Sequence, residues 1–137
     1  MLVHHNKTFA TLLAATTGGL GLHRFYLRGL PDKWGWLHLT SLPLSLLAYW
    51  FALGPHQLFQ FAPLVLSALI GCVEALVLGL TPDHQWDSTY NSGSAKTSES
   101  HWPLALLLVI TLAVGATALI AVIARSFDLL ITGGAFG

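Results

Sequence analysis

Residues 18–29 read GGLGLHRFYLRG, a histidine and an arginine set behind spaced glycines in an otherwise apolar stretch. The reading of this stretch decides the fold at the N-terminal end. The apolar run before it, Thr8 to Leu22, is only about fifteen residues, and a bilayer-spanning helix needs roughly 20 at 1.5 Å rise each. Continued through His23, Arg24, Phe25 and Tyr26 to Leu27, the run reaches spanning length, with the His-Arg pair about one turn from its end. The expectation is therefore one helix over about 8–27. A cleavable signal peptide is the competing reading, with Lys7 as its basic start and Phe9 to Ala15 as its apolar core. No small-x-small cleavage site follows before the glycines, which favours the membrane helix.

The rest of the composition points the same way. Only 9% of the 137 residues are charged and 54% are apolar, against about 25% charged in soluble domains. Too few polar residues remain to coat a water-facing surface. The formal net charge is zero, so nothing marks a nucleic-acid partner. The single cysteine, Cys72, excludes an internal disulfide and a cysteine zinc site.

Three further apolar runs follow: Trp34 to Leu53, Leu58 to Leu80, and Pro103 to Ala124, the last without any charge. Each is long enough to span. Trp34 and Trp36 open the second, Tyr49 and Trp50 close it, and Trp102 precedes the fourth, as amphipathic rings do at headgroup depth. The expected class is all-α and integral to the membrane, with four transmembrane helices over about 8–27, 34–53, 58–80 and 103–124. Residues 28–33 form a tight charged turn. The 81–102 loop is polar and carries a short interfacial helix over roughly Pro82 to Tyr90, with Thr81 as its N-cap and proline at N1. Residues 125–137 form a tail that frays.

Small residues suggest how the helices pack. Ser67, Gly71, Ala75 and Gly79 recur every fourth position in the third run. Ala10, Ala14 and Gly18 do so in the first, with Thr11, Ala15 and Gly19 alongside. Such ridges let backbones approach closely in lipid, where no hydrophobic force draws helices together. Pro43 is expected to kink the second helix, and Pro63 to sit near the start of the third.

The strings KTFATLLA (7–14) and GGLGLHRFYL (18–27) together resemble the TM2 domain, a pair of membrane helices joined by a short turn with a basic-aromatic signature ending the first helix. The resemblance covers residues 7–53. It departs from the family pattern at Arg28, where a glycine usually follows the leucine, and TPDHQWDSTYN (81–91) is similar to a segment that follows the domain in longer members. The resemblance implies a multi-pass protein of the bacterial inner (plasma) membrane, a cytoplasmic turn and no particular reaction.

Two groups of residues carry the functional expectations. Mid-bilayer, an arginine costs about 2.5–3.5 kcal/mol, but near a helix end its side chain can reach water. Arg24 should thus reach lipid phosphate, His23 should bond a loosened backbone carbonyl, and Phe25 and Tyr26 should sit at headgroup level. This is an anchor fixing the hairpin. In the functional reading, His23, Arg24, Phe25, Tyr26, Arg28 and Lys33 contact anionic lipid headgroups or a membrane-protein partner. Glu74 lies about five residues past the middle of the third run, too deep to reach water easily, and intramembrane acids are functional candidates by default. Its candidate partners are His38 and the His23/Arg24 pair; the alternatives are a structural pair and a proton- or cation-handling role.

Asp83, His84 and Asp87 on a short exposed helix make a poor metal site, and His4 and His5 no better one. No Walker loop, GxSxG, HExxH or CxxC is present. The expectation is a non-enzymatic protein without cofactor or metal, which binds a membrane partner, a second copy or anionic lipid. The alternative is an oligomeric channel or transporter subunit using Glu74. Counting basic residues over four spans puts Arg24, Arg28, Lys33 and Lys96 on one side against Lys7 and Arg125. This predicts the 28–33 turn and the 81–102 loop in the cytoplasm and both termini outside.

Overall fold

The structure, a computed structural model, describes residues 4–54 and 56–136. Among them all regular structure is helical. The helices are α1 (Lys7–Thr17), α2 (Leu22–Arg28), α3 (Lys33–Trp50), α4 (Gln57–Gln60), α5 (Ala62–Leu80), α6 (Asp83–Tyr90) and α7 (Trp102–Thr132). Asn6 starts α1 by accepting the N–H of Phe9, and Asp32 starts α3 by accepting that of Gly35. Both are ordinary side-chain N-caps.

The expected first span, 8–27, is not one helix. Gly18–Leu20 tightens into a 3₁₀ turn, and Gly21, at φ 72°, takes the left-handed conformation that glycine adopts without strain. The chain then reverses. In a continuous helix Asn6 and Tyr26 would lie roughly 30 Å apart; instead the Asn6 N–H donates to the Tyr26 hydroxyl at 3.0 Å. The Tyr26 ring also meets the rings of His5 and Phe9 edge-on. The α1–α2 pair is thus a helical hairpin whose glycine tip stops part-way along α5.

Among the described residues two helices, Ala62–Leu80 and Trp102–Thr132, are long and apolar enough to cross a membrane, where four were expected. The reversal divides the first run into helices of 11 and 7 residues. The second run yields Lys33–Trp50, with Lys33, His38, Thr40, Ser41 and Ser45 among its 18 residues, and leaves the helix before Leu53. Residues 58–61 belong to α4 and its end rather than to α5. Pro43 lies inside α3, which continues through it. Pro82, not Thr81, is the residue ahead of α6; the Thr81 hydroxyl donates back to the Val77 carbonyl. The expected tail is mostly helix: α7 runs past Arg125 and Asp128 to Thr132, where Gly133 ends it in a left-handed cap.

The α5 helix is the centre of the bundle, packed by α1, the 3₁₀ turn, α3 and α7. Its buried residues are Ser67, Gly71, Ala75 and Gly79. Facing them are Ala10, Ala14 and Gly18 of the hairpin, also buried. A Cβ added to Gly71 would stand 2.6 Å from the Cα of Gly18, so the two backbones touch. One added to Gly79 would meet Leu108 of α7 at 2.5 Å. On α3 the inward face is Gly35, His38, Ser41 and Ser45. Large apolar side chains point out instead, among them Leu47, Leu66, Val73, Val109 and Ile120. Inward faces that are small or polar, under an outward layer of aliphatic side chains, are the arrangement that lipid favours and water does not.

The ends of the bundle are defined by contacts along α5. Lys7 is bonded to the Thr81 carbonyl and to Asp83 at 2.8 Å, at the C-terminal end of α5. Ser45 accepts the N–H of Leu64 at its N-terminal end. The His4–Lys7 segment therefore shares one end of the molecule with the 81–102 loop. That differs from the sequence expectation, which set the N-terminal end opposite the loop, and the reversal at Gly21 is the reason.

Candidate functional site

Where the hairpin turns back, its polar residues meet α3 and α5. Leaving the helix strands backbone carbonyls, and Gly19 has one. It accepts the hydroxyls of Ser67 at 2.7 Å and Ser41 at 3.2 Å. The Ser67 oxygen lies in turn 2.7 Å from His38 Nδ1. Serines on two neighbouring helices thus satisfy a backbone carbonyl that the turn leaves without a helical partner.

About two turns further along α5, Glu74 gathers the charged groups. His23 Nε2 is 2.8 Å from its Oε2, Arg24 bonds its Oε1, and His38 Nε2 stands 3.3 Å from Oε2. Each candidate partner read from the sequence lies on this carboxylate. Arg24 also reaches Asp32 at 3.6 Å, and Asp32 in turn lies 3.9 Å from Arg28. Asp32 is a member of the site that the sequence reading treated only as a turn charge; its place eight residues after Arg24, as the N-cap of α3, gave no sign of this pairing.

The basic-aromatic residues therefore point elsewhere than expected. Arg24 faces Glu74 and Asp32 rather than lipid phosphate, and His23 faces Glu74 rather than a backbone carbonyl. The cause is proximity: reversal at Gly21 brings α2 onto the polar stretch of α5, where pairing removes the cost of a lone charge. Phe25 packs over Gly35, where an added Cβ would meet its ring at 2.7 Å, and edge-on against Trp36. Tyr26 turns to α1. Phe25 and Tyr26 thus wedge α2 between its neighbours. Arg28 and Lys33 remain exposed, and Lys33 has no ion-pair partner among the described residues.

Two hollows approach the polar cluster. A groove of about 420 Å³ runs between α3 and α5, with Arg24, His38 and Glu74 in its polar part and Leu37, Leu44 and Leu66 along its walls. A smaller cleft of about 180 Å³ lies between α2 and the last turns of α5, lined by His23, Arg28, Glu74, Leu78 and Tyr90. The carboxylate is common to both.

A second polar centre ties the N-terminal segment to the 81–102 loop, and nothing in the sequence pairs its members. The His5 N–H donates to Asn91 Oδ1 at 2.7 Å, while the His5 carbonyl accepts Trp86 Nε1 at 3.1 Å. Trp86 is wholly buried by this contact. Asp83 receives Lys7 and the N–H and hydroxyl of Ser100. Burial opposes its ionisation, but the bonds from Lys7 and Ser100 outweigh it and hold the carboxyl below the usual range. Asp87 is held down at about 2 by the Ser98 N–H first, then by the Ser98 hydroxyl and the Asn91 amide. Both carboxylates considered as metal ligands are thus engaged by protein donors, and among the described residues no group of three such side chains could hold a metal. No family model, curated protein or solved structure matches this chain.

Proposed function

We propose that this is a non-catalytic integral membrane protein which binds an anionic phospholipid of the plasma (inner) membrane in the groove between α3 and α5. In this reading α3, α5 and α7 cross the bilayer. Residues 7–53 form a TM2-type unit whose first arm is re-entrant. The 28–33 turn, the 81–102 loop and the His4–Lys7 segment lie on the cytoplasmic side. With the hairpin reversed, five of the six basic residues (Lys7, Arg24, Arg28, Lys33, Lys96) fall on that side and only Arg125 on the other, a stronger positive-inside bias than four spans would give.

The observation that carries the reading is the groove. Its size lies within the range of small-ligand sites, its walls are aliphatic, and it leads to a polar end. Around that end Arg24, Arg28 and Lys33 outnumber Asp32 and Glu74 by three to two, which favours an anion, and Lys33 is unpaired among the described residues. An acyl chain along Leu37, Leu44 and Leu66 would leave its phosphate near Lys33 and Trp34.

Mass spectrometry of the protein released from detergent tests this. Supplied with equal phosphatidylglycerol and phosphatidylcholine, the wild-type chain should retain phosphatidylglycerol preferentially. Ile70→Trp, which fills the groove, should abolish retention. Equal retention of both lipids, or full retention by Ile70→Trp, rejects the reading. A second reading, an oligomeric channel or transporter subunit built on Glu74, is supported by the two hollows that meet at this acid. One copy has too few polar groups to line a pore, so a strict monomer in mild detergent removes it.

A further inference from the structure

The smaller cleft, between α2 and the end of α5, is unlike the groove in chemistry. Its lining includes Arg28, which is exposed, Tyr90 of the polar loop, and Glu74 at its inner end. Arg28 and Tyr90 belong to the end of the molecule that carries the 81–102 loop, so the cleft reaches that end, with Leu27 and Val77 completing its wall. Two buried polar atoms adjoin it with no protein partner: Nδ1 of His23, a side chain only 2% exposed, and Nε of Arg24. A buried polar atom left without a partner is destabilising, so these two adjacent residues call for a ligand that can both donate and accept. Water does both. At roughly 30 Å³ per molecule, the cleft's volume of about 180 Å³ holds on the order of six, well above the single probe sphere that hydration needs.

We propose that this cleft is a hydrated passage that admits water, and protons relayed along it, from the loop side as far as Glu74. The acid at its end is contacted by His23 and Arg24 of α2 and by His38 of α3, with Asp32 beyond Arg24. Those are the charged and titratable groups facing it. The His23 imidazole is bonded to Glu74 through Nε2, while its other nitrogen is free of protein partners. It stands where a proton can pass between cleft water and the carboxylate. The α3–α5 groove plays no part in this passage, so the inference does not depend on lipid binding there.

Cysteine accessibility in proteoliposomes decides the matter. In a Cys72→Ser background, Leu78→Cys lines the cleft, Val73→Cys faces outward from α5 outside both hollows, and Lys96→Cys reports the aqueous loop. A thiol in lipid stays protonated and inert, so a charged methanethiosulfonate should modify Leu78→Cys at least about a hundredfold faster than Val73→Cys and within about tenfold of Lys96→Cys. Glu74→Cys should react at the rate of Leu78→Cys; where it fails to fold, Leu78→Cys alone decides. Reaction of Leu78→Cys as slow as that of Val73→Cys overturns the proposal. So does equal, fast reaction at all three positions, or a folded Glu74→Cys that stays unreactive.

Discussion

Glu74 lies six residues before Leu80, about 9 Å along the helix from the end of α5. An ionised acid there persists only with partners, and it has a guanidinium and two imidazoles. Removing one member of such a buried set leaves the others unpaired, which is worse than losing the set. Glu74→Gln should therefore destabilise the hairpin by about 3 kcal/mol in bicelle unfolding. Adding Arg24→Met to it should recover part of the loss. A Glu74→Gln protein as stable as the wild type would show that the carboxylate does not hold α2. The glycines act through distance rather than charge. Gly71→Ala drives a methyl to 2.6 Å from Gly18 Cα, and backbone cannot yield as a side chain can. A loss of about 1–3 kcal/mol is expected in the same unfolding assay. At Gly115 the nearest atom is the Cys72 Cβ at 3.2 Å, so Gly115→Ala should change stability by less than about 1 kcal/mol.

Among the elements, the carboxylates of α6 hold the 98–100 segment of the polar loop, and this gives the loop a pH dependence of known sign. Asp87 ionises at about 2 in the folded chain, against an unfolded value near 3.9. A depressed folded value means the tether is fully present above about pH 4 and is lost as pH falls toward 2. Amide exchange at Ser98, whose N–H donates to Asp87, should accelerate across that window. In Asp87→Asn the amide should be unprotected at every pH. An amide protected equally at pH 5 and pH 2 would count against the tether. The conformation of the hairpin tip depends on Gly21: an added Cβ there combines a φ of 72° with the Gly35 carbonyl at 2.7 Å.

For the whole molecule, reversal of the first helix changes the parity of crossings. Residues 4–7 meet the 81–102 loop. The α7 helix leaves that loop and passes Gly79 at Leu108 and Cys72 at Gly115. Arg125 lies ten residues beyond, about 15 Å further along the helix. Under the proposed topology, reporters at the two ends of the chain fall on opposite sides, with the N-terminal one cytoplasmic. A fluorescent protein ahead of residue 1 should glow, and alkaline phosphatase after residue 137 should be active. Both reporters outside, the outcome of four full spans, would refute the re-entrant hairpin.

Composition and spacing alone marked the long apolar helices and the residues small or polar enough to face inward. Those properties depend on composition and local spacing. Ala10, Ala14 and Gly18, and the Ser67 to Gly79 series, fall on single helix faces for that reason, and Glu74 stands out because so few charges surround it. The path through GGLG and the company Glu74 keeps were set by contacts between distant parts of the chain. A glycine permits a left-handed turn without imposing one. What selects the turn is the contact of Gly18 with Gly71, the serines that satisfy Gly19, and the pairing of His23 and Arg24 with an acid fifty residues away. None of those energies is local, so no reading confined to one window of sequence contains them.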